Sequence, residues 1–263
     1  MAELLLTHQR GPIFEIVLNR PEKRNAINPE MMDQLVEAIR LASRTDGVRT
    51  VVVRGEGLAF SSGIDLTSFM HLPEKYGNNW LQRMRSVTHD VQSVITLVER
   101  LEIPTLALIH GHCVGMGLEL CLACDLRIAA QGAKLGLPET LRGMIPDVGG
   151  STRLTRLVGP ARAKELIFTG RLIDADVAER LGIVNSVVSE SELLAAGDTL
   201  AAEIQKAAPL AVGMAKRVID GLADIDRGLL LEGWAQSQLI PTEDFTEGIQ
   251  SFLQKRPPEF KGK

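Results

Sequence analysis

Glu119 and Glu139 stand twenty residues apart, each next to residues that bend the chain. Glu119 follows the glycine-broken stretch His110-Gly111-His112-Cys113-Val114-Gly115-Met116-Gly117-Leu118, and Glu139 follows Pro138. Two carboxyls on opposite walls of one pocket can divide acid and base roles when their surroundings pull their pKa values apart. Glycines let a ligand approach the main chain, and a helix starting near Met116 would offer free N–H donors at its positive end, where an oxyanion can be held. Glu119 lies three residues beyond Met116, so on a helix its carboxyl and that donor occupy neighbouring parts of one face. Taken singly, Glu139 is more often a solvated loop residue, and spacing alone does not bring the two acids together.

A second donor candidate is the run of small residues Ala59-Phe60-Ser61-Ser62-Gly63-Ile64-Asp65-Leu66, which follows a strand-like segment. A tight turn there leaves backbone N–H groups open to a ligand, although an ordinary loop fits the same residues. Gly115-x-Gly117 matches half of a dinucleotide fingerprint but lacks its third glycine and a ribose-binding acid. His110-x-His112 with Cys113 could ligate a metal, yet successive strand residues face opposite ways, which would turn Cys113 away from the histidines. Cys121-x-x-Cys124 has no second such pair and lies in an apolar helical pattern, which favours buried thiols. Neither a metal nor a redox cofactor is expected.

The elements that would position these residues alternate. Residues 14–19 and 50–54 read as strands, and between them Asn28 can cap a helix with Pro29 at its first position and Met31, Met32, Leu35, Ile39 and Leu41 at helical spacing. Residues 106–110 and 126–129 read as further strands, flanking a helix at 118–124; Ser151 can cap another helix starting near Thr152. Short strands alternating with single helices argue an α/β core over residues 1–190. Beyond Val188 the strand signals stop, and residues 191–263 read as helices at 192–207, 209–222, 227–239 and 242–255. The last carries Phe245, Ile249, Phe252 and Leu253 on one face, which suggests packing against the core or a sister subunit.

The 263 residues suffice for one large core, and 45% hydrophobic with 24% charged residues is an ordinary globular balance. A net charge of -4 with scattered bases disfavours nucleic-acid and membrane binding. Lys23, Arg24 and the tail from Lys255 to Lys263 could meet one small anion, or simply be solvated. Three cysteines without a disulfide ladder fit a reducing compartment. No apolar run approaches the ~18–20 residues that span a bilayer, and residues 1–10 lack a secretory layout, so a cytoplasmic location is expected.

Together these stretches resemble the enoyl-CoA hydratase/isomerase, or crotonase, superfamily, nearly end to end. Asn19-Arg20-Pro21 with Asn25-Ala26 is similar to the family's first CoA-side loop, Ser62-Gly63-Ile64-Asp65 to its A-G-A-D segment, and Gly115-Met116-Gly117-Leu118-Glu119 to its G-G-G-C-E segment. Pro138-Glu139, Ile145-Pro146, Gly149-Gly150 and Arg153-Leu154 resemble the next block.

The resemblance implies a crotonase-like spiral of repeated β-β-α turns with a C-terminal helical region used in trimers or dimers of trimers. It implies an acyl-CoA thioester substrate whose oxygen is held by the N–H groups of Ile64 and Met116, with Met in place of the family's usual glycine. Coenzyme A contacts are implied at Lys23, Arg24, Ala26, Ser62, Ile64, Asp65 and Leu66, and at Lys255 and Lys261, the last two reaching a neighbouring subunit. The acyl pocket is expected among residues 68–96. Hydration of a trans-2-enoyl-CoA by Glu119 and Glu139 is the expected reaction. Asp147 stands where the dienoyl-CoA isomerases carry an aspartate, so it could shuttle protons or sit at a polar pocket mouth. Double-bond isomerisation, a catalytically silent CoA-ester- or RNA-binding homologue, and a dinucleotide oxidoreductase are the alternatives.

Overall fold

The structure is a computed structural model that describes residues 3–71, 73–74, 77, 79–221, 236 and 238–263. Strands β1 (Leu5–Arg10) and β2 (Ile13–Leu18) form an antiparallel hairpin, turning at Gly11 with φ +56°. β3 (Thr50–Gly55), β4 (Thr105–Ile109), β6 (Leu126–Ala130) and β9 (Ser186–Val188) then add in parallel, in the order β1-β2-β3-β4-β6-β9. A smaller sheet joins β5 (His112–Val114), β7 (Lys134–Gly136) and β8 (Ile173–Asp174). All of β2 and β4 and most of β3 are buried, which is why they are mainly apolar; the one acid in β2, Glu15, pairs with Arg10 and Arg54.

Helix α1 (Pro29–Arg44) starts as expected: Asn28 Oδ1 accepts the Met31 N–H at 2.9 Å and Pro29 occupies the first turn, where no N–H is needed. Met31, Met32, Leu35, Ala38, Ile39 and Ala42 turn inward, whereas Leu41 is half exposed. Helix α2 (Met84–Arg100) lies beside α1 and against α3 (Met116–Ala123). Every residue of α3 is buried, so a helix without a polar face carries Glu119 into the interior. Cys113, Cys121 and Cys124 are buried and unbridged around it.

Helix α4 (Gly150–Thr169) begins two residues earlier than expected, and Ser151 does not cap it. Gly149, in the left-handed region at φ +115°, holds the cap position, and the Ser151 hydroxyl donates instead to Pro146 O at 2.9 Å. Gly159 and Pro160 interrupt the helix midway.

The remaining helices are α5 (Ala175–Arg180), α6 (Leu193–Ile204), α7 (Pro209–Asp220) and α8 (Glu243–Gln254). Three of them match the segments expected at 192–207, 209–222 and 242–255; the one at 227–239 falls almost wholly outside the described residues, as do the side chains of Phe252 and Leu253. Leu193 and Ala201 of α6 pack on Leu106, Leu108 and Ile128 of the large sheet. Phe245 and Ile249 of α8 are 40% and 50% exposed, so this single chain leaves part of that apolar face open.

Candidate active site

Two glycine-rich segments meet at the start of α3. Ser61 N–H donates to His112 O at 3.0 Å and Val114 N–H to Ser61 O at 3.0 Å, which sews the loop after β3 to β5. Gly117 lies directly under Ser61, where an added Cβ would come within 2.6 Å of the serine Cβ. Gly63, at φ +93°, faces the Val114 carbonyl and the Met116 nitrogen, at 2.8 and 3.5 Å from where its Cβ would be.

The geometry leaves both expected oxyanion donors unspent on regular structure. Ile27 N–H donates to Gly63 O and Asp65 N–H to Ile27 O, each at 2.8 Å, so in this parallel bridge the Ile64 N–H turns to the opposite side. Met116 is the first residue of α3, and its N–H has no intrahelical acceptor. Gly115 sets up that start with φ +55° and ψ -130°, a conformation that favours glycine.

Glu119 is 2% exposed, and its Oε1 accepts two main-chain N–H groups, from Val148 at 3.0 Å and Gly150 at 2.8 Å. Burial pushes its carboxyl up to about 8; the two N–H groups oppose that rise, and the negative charges of Glu139 and Asp147 add to it. Glu139 opens a short turn, Glu139–Arg142, with Oε1 3.0 Å from the position of a Cβ on Gly115. Its Oε2 is buried without a protein partner, and burial followed by the nearby Asp147 raises its carboxyl as well. Both glutamates thus lie at the start of α3, Glu119 on its first turn and the Glu139 carboxyl against its cap residue, Gly115. The Val148 and Gly150 donors were not singled out from sequence, although the Gly149-Gly150 pair was the available signal.

Asp147 lines a mainly apolar cavity of about 320 Å³ together with Ile64 and Met116. Its Oδ2 accepts the Thr88 hydroxyl at 3.1 Å, and its carbonyl accepts Gln92 Nε2 at 2.6 Å. Val87, Val91 and Val94 of α2 line this cavity, within the expected 68–96 segment, but Ile27 and Met32 at the start of α1 form another wall. The side chains of Glu119 and Glu139 are not part of that wall.

The loop bearing Lys23, Arg24 and Ala26 lies against Ser62 and Asp65, while Leu66 beyond them is half exposed. Ser62 N–H donates to Arg24 O at 2.9 Å, its hydroxyl donates to Lys23 O at 3.3 Å, and Arg20 Nη1 reaches both Ala26 O at 2.7 Å and Asp65 Oδ2 at 3.1 Å. Asn25, fully buried at φ +54°, pins this loop by donating to Glu56 O and Ala59 O and accepting from Arg20 N–H. Asp65 is drawn low by Thr67 and Arg20, so its carboxylate serves the loop. Lys23 and Arg24 stay exposed.

Lys255 directly follows α8, and Lys261 lies in the tail beyond it. The tail folds back on α8, with Lys261 and Gly262 N–H groups donating to Asp244 at 2.6 and 2.9 Å, and Lys261 faces Glu243, Glu247 and Glu259. Gly262 packs beside Pro209, and Arg49, just before β3, donates to Ala207 O at 2.6 Å, so the tail lies near the start of that strand while Ser62 follows its far end. His110 is buried with Nε2 2.9 Å from Gly57 O, and His112 is exposed; among the described residues no group of three or more His, Cys, Asp or Glu could hold a metal.

The family model described as enoyl-CoA hydratase/isomerase matches residues 8–263. Human enoyl-CoA hydratase domain-containing protein 2, mitochondrial, is 40% identical, covering 100% of this chain and 91% of its own. The crotonyl-CoA hydratase of Syntrophomonas wolfei is 34% identical over 99% of both. A crystal structure of enoyl-CoA hydratase from Bacillus anthracis superposes with a TM-score of 0.91 at 35% identity, covering 99% of this chain and 100% of that one. With the family model matched over residues 8–263 and the whole fold superposed, the chain belongs to the enoyl-CoA hydratase/isomerase family and has its crotonase fold.

Proposed function

We propose that this protein hydrates a trans-2-enoyl-CoA thioester. The observation that carries the reading is the pinning of Glu119 Oε1 by two peptide N–H groups, beside a second buried carboxyl whose Oε2 has no protein partner. The thioester oxygen sits between the Ile64 and Met116 N–H groups. A water held by both glutamates gives one proton to Glu119 as its oxygen bonds to C3. Electrons of the double bond move toward the thioester oxygen, and Glu139 delivers a proton to C2. Each N–H donor aimed at the developing enolate is worth on the order of 3 kcal/mol.

Burial raises both carboxyls, so each holds a proton more readily than a free glutamate does. A proton on Glu139 beside an ionised Glu119 is the form for hydration; the converse form runs dehydration, as microscopic reversibility requires. Coenzyme A arrives as part of the substrate, with Lys23 and Arg24 for its phosphates, and no further cofactor is assigned. Association as a trimer or dimer of trimers, in which Lys255 and Lys261 reach a neighbour, and a cytoplasmic location belong to the same reading. So does the division into a spiral core, 1–190, and a helical region, 191–263.

Double-bond isomerisation is the second reading, because Asp147 lines the apolar cavity beside both oxyanion donors. The test is loss of conjugation absorbance from crotonyl-CoA. Glu119→Gln and Glu139→Gln should each slow hydration by several orders of magnitude while CoA-ester binding persists. Wild-type turnover in either variant would overturn the assignment, and absorbance gained from a 3,5-dienoyl-CoA, abolished in Asp147→Asn, would replace it with isomerisation.

A further inference from the structure

Building on the acid/base reading, we propose that Arg153, anchored by Glu99, is a positioning residue that holds the main chain of residues 148–150 against Glu119. Arg153 Nη1 donates to Val148 O at 3.1 Å, on the residue whose N–H reaches Glu119. Its Nη2 and Nε donate to Glu99 Oε2 at 2.6 and 3.2 Å, and Nη2 also reaches Thr96 Oγ1 at 3.3 Å. The Nη1 end of the guanidinium presses on Gly149, where any Cβ would fall 1.7 Å from Nη1. At that position φ is +115° as well, so both space and conformation select glycine.

Arg153 is one grip in a row. Thr88, Gln92, Thr96 and Glu99 follow one another at helical spacing along α2. They hold, in order, the Asp147 carboxylate, the Asp147 carbonyl and the Arg153 guanidinium, the last two sharing that guanidinium. Val87, Val91 and Val94 on the adjoining face of α2 line the acyl cavity. The same helix therefore contacts the acyl chain and sets the loop that carries the Glu119 donors. Arg153 is mostly buried and its partner Glu99 partly so, which lets the charge-assisted pair outlast a solvent-exposed one.

The test uses the full chain with Arg153→Met, Glu99→Gln and, as a charge-loss control, Arg156→Met. Arg153→Met and Glu99→Gln should lower kcat for crotonyl-CoA by about tenfold to a hundredfold with KM within about twofold, as a small misplacement of a catalytic group does. Carbon-13 NMR of glutamate-labelled protein, assigned through Glu119→Gln, should show the Glu119 carboxyl titrating higher in both variants, because its two N–H donors are released. Arg153→Lys should recover part of both effects. Should Arg153→Met not fold, Glu99→Gln and Arg153→Lys carry the same comparison. Unchanged kcat and unchanged titration, or an equal loss in Arg156→Met, would overturn the positioning role. Since the titration needs no substrate, it decides this role even if wild-type protein proves unable to hydrate any enoyl-CoA, an outcome that would fall on the proposed function instead.

Discussion

The Gly150 N–H lies 2.8 Å from Glu119 Oε1, and a Cβ added to Gly150 would lie 2.8 Å from that same oxygen. The hydrogen bond and the absence of a side chain are one requirement: the peptide can approach the carboxyl only if residue 150 is glycine.

Gly150→Ala should therefore displace Glu119. The new methyl would also meet Pro146 Cβ at 2.8 Å and Glu119 Cγ at 2.9 Å, so no single side chain can yield. We expect kcat for crotonyl-CoA to fall by roughly a hundredfold and stability to drop by about 1–3 kcal/mol. Steady-state kinetics with urea denaturation measure both, and a variant kinetically identical to wild type would contradict the placement of Glu119.

Glu119→Gln should stabilise the fold in alkali while abolishing turnover. The carboxyl's folded value of about 8 lies above its ordinary 4.5, so between these limits the folded chain binds more protons than the unfolded one. Stability then falls as pH rises through that window, and the penalty is absent below it. The Gln variant should match wild type near pH 4.5 and exceed it above about pH 8, by an amount on the order of a few kcal/mol. Parallel melting curves of the two proteins across this range would contradict the burial cost assigned to the carboxylate.

Lys23→Ala combined with Arg24→Ala should raise KM for crotonyl-CoA and flatten its salt dependence, with kcat little changed. Both side chains are exposed on the loop packed against Ser62, where coenzyme A phosphates would be attracted over roughly the 8–10 Å reach left by physiological salt. A KM in the wild-type protein that stays constant from low to high salt would remove these residues from the binding site.

Much of the scaffold was legible along the chain because its causes are local. Asn28-Pro29 announces the start of α1, since a side-chain acceptor and a missing N–H act within one turn. The buried strands announce themselves as mainly apolar segments, because both of their faces lie inside the core. The start of α4 was misplaced at Thr152 because a serine cap was assumed; Gly149 won the position, as it alone tolerates both its φ and the overlying Arg153.

By itself, the sequence determined which acids and glycines were available, in what order, and the family pattern they compose. Only the tertiary structure decided that residues 148 and 150 donate to Glu119 across some thirty positions, that Arg153 joins Val148 O to Glu99, and that the tail carrying Lys261 folds back on α8. The reason is physical. A cap or a strand pattern is written in neighbouring residues, whereas a carboxyl's burial and its donors come from segments that meet only when the core closes around α3.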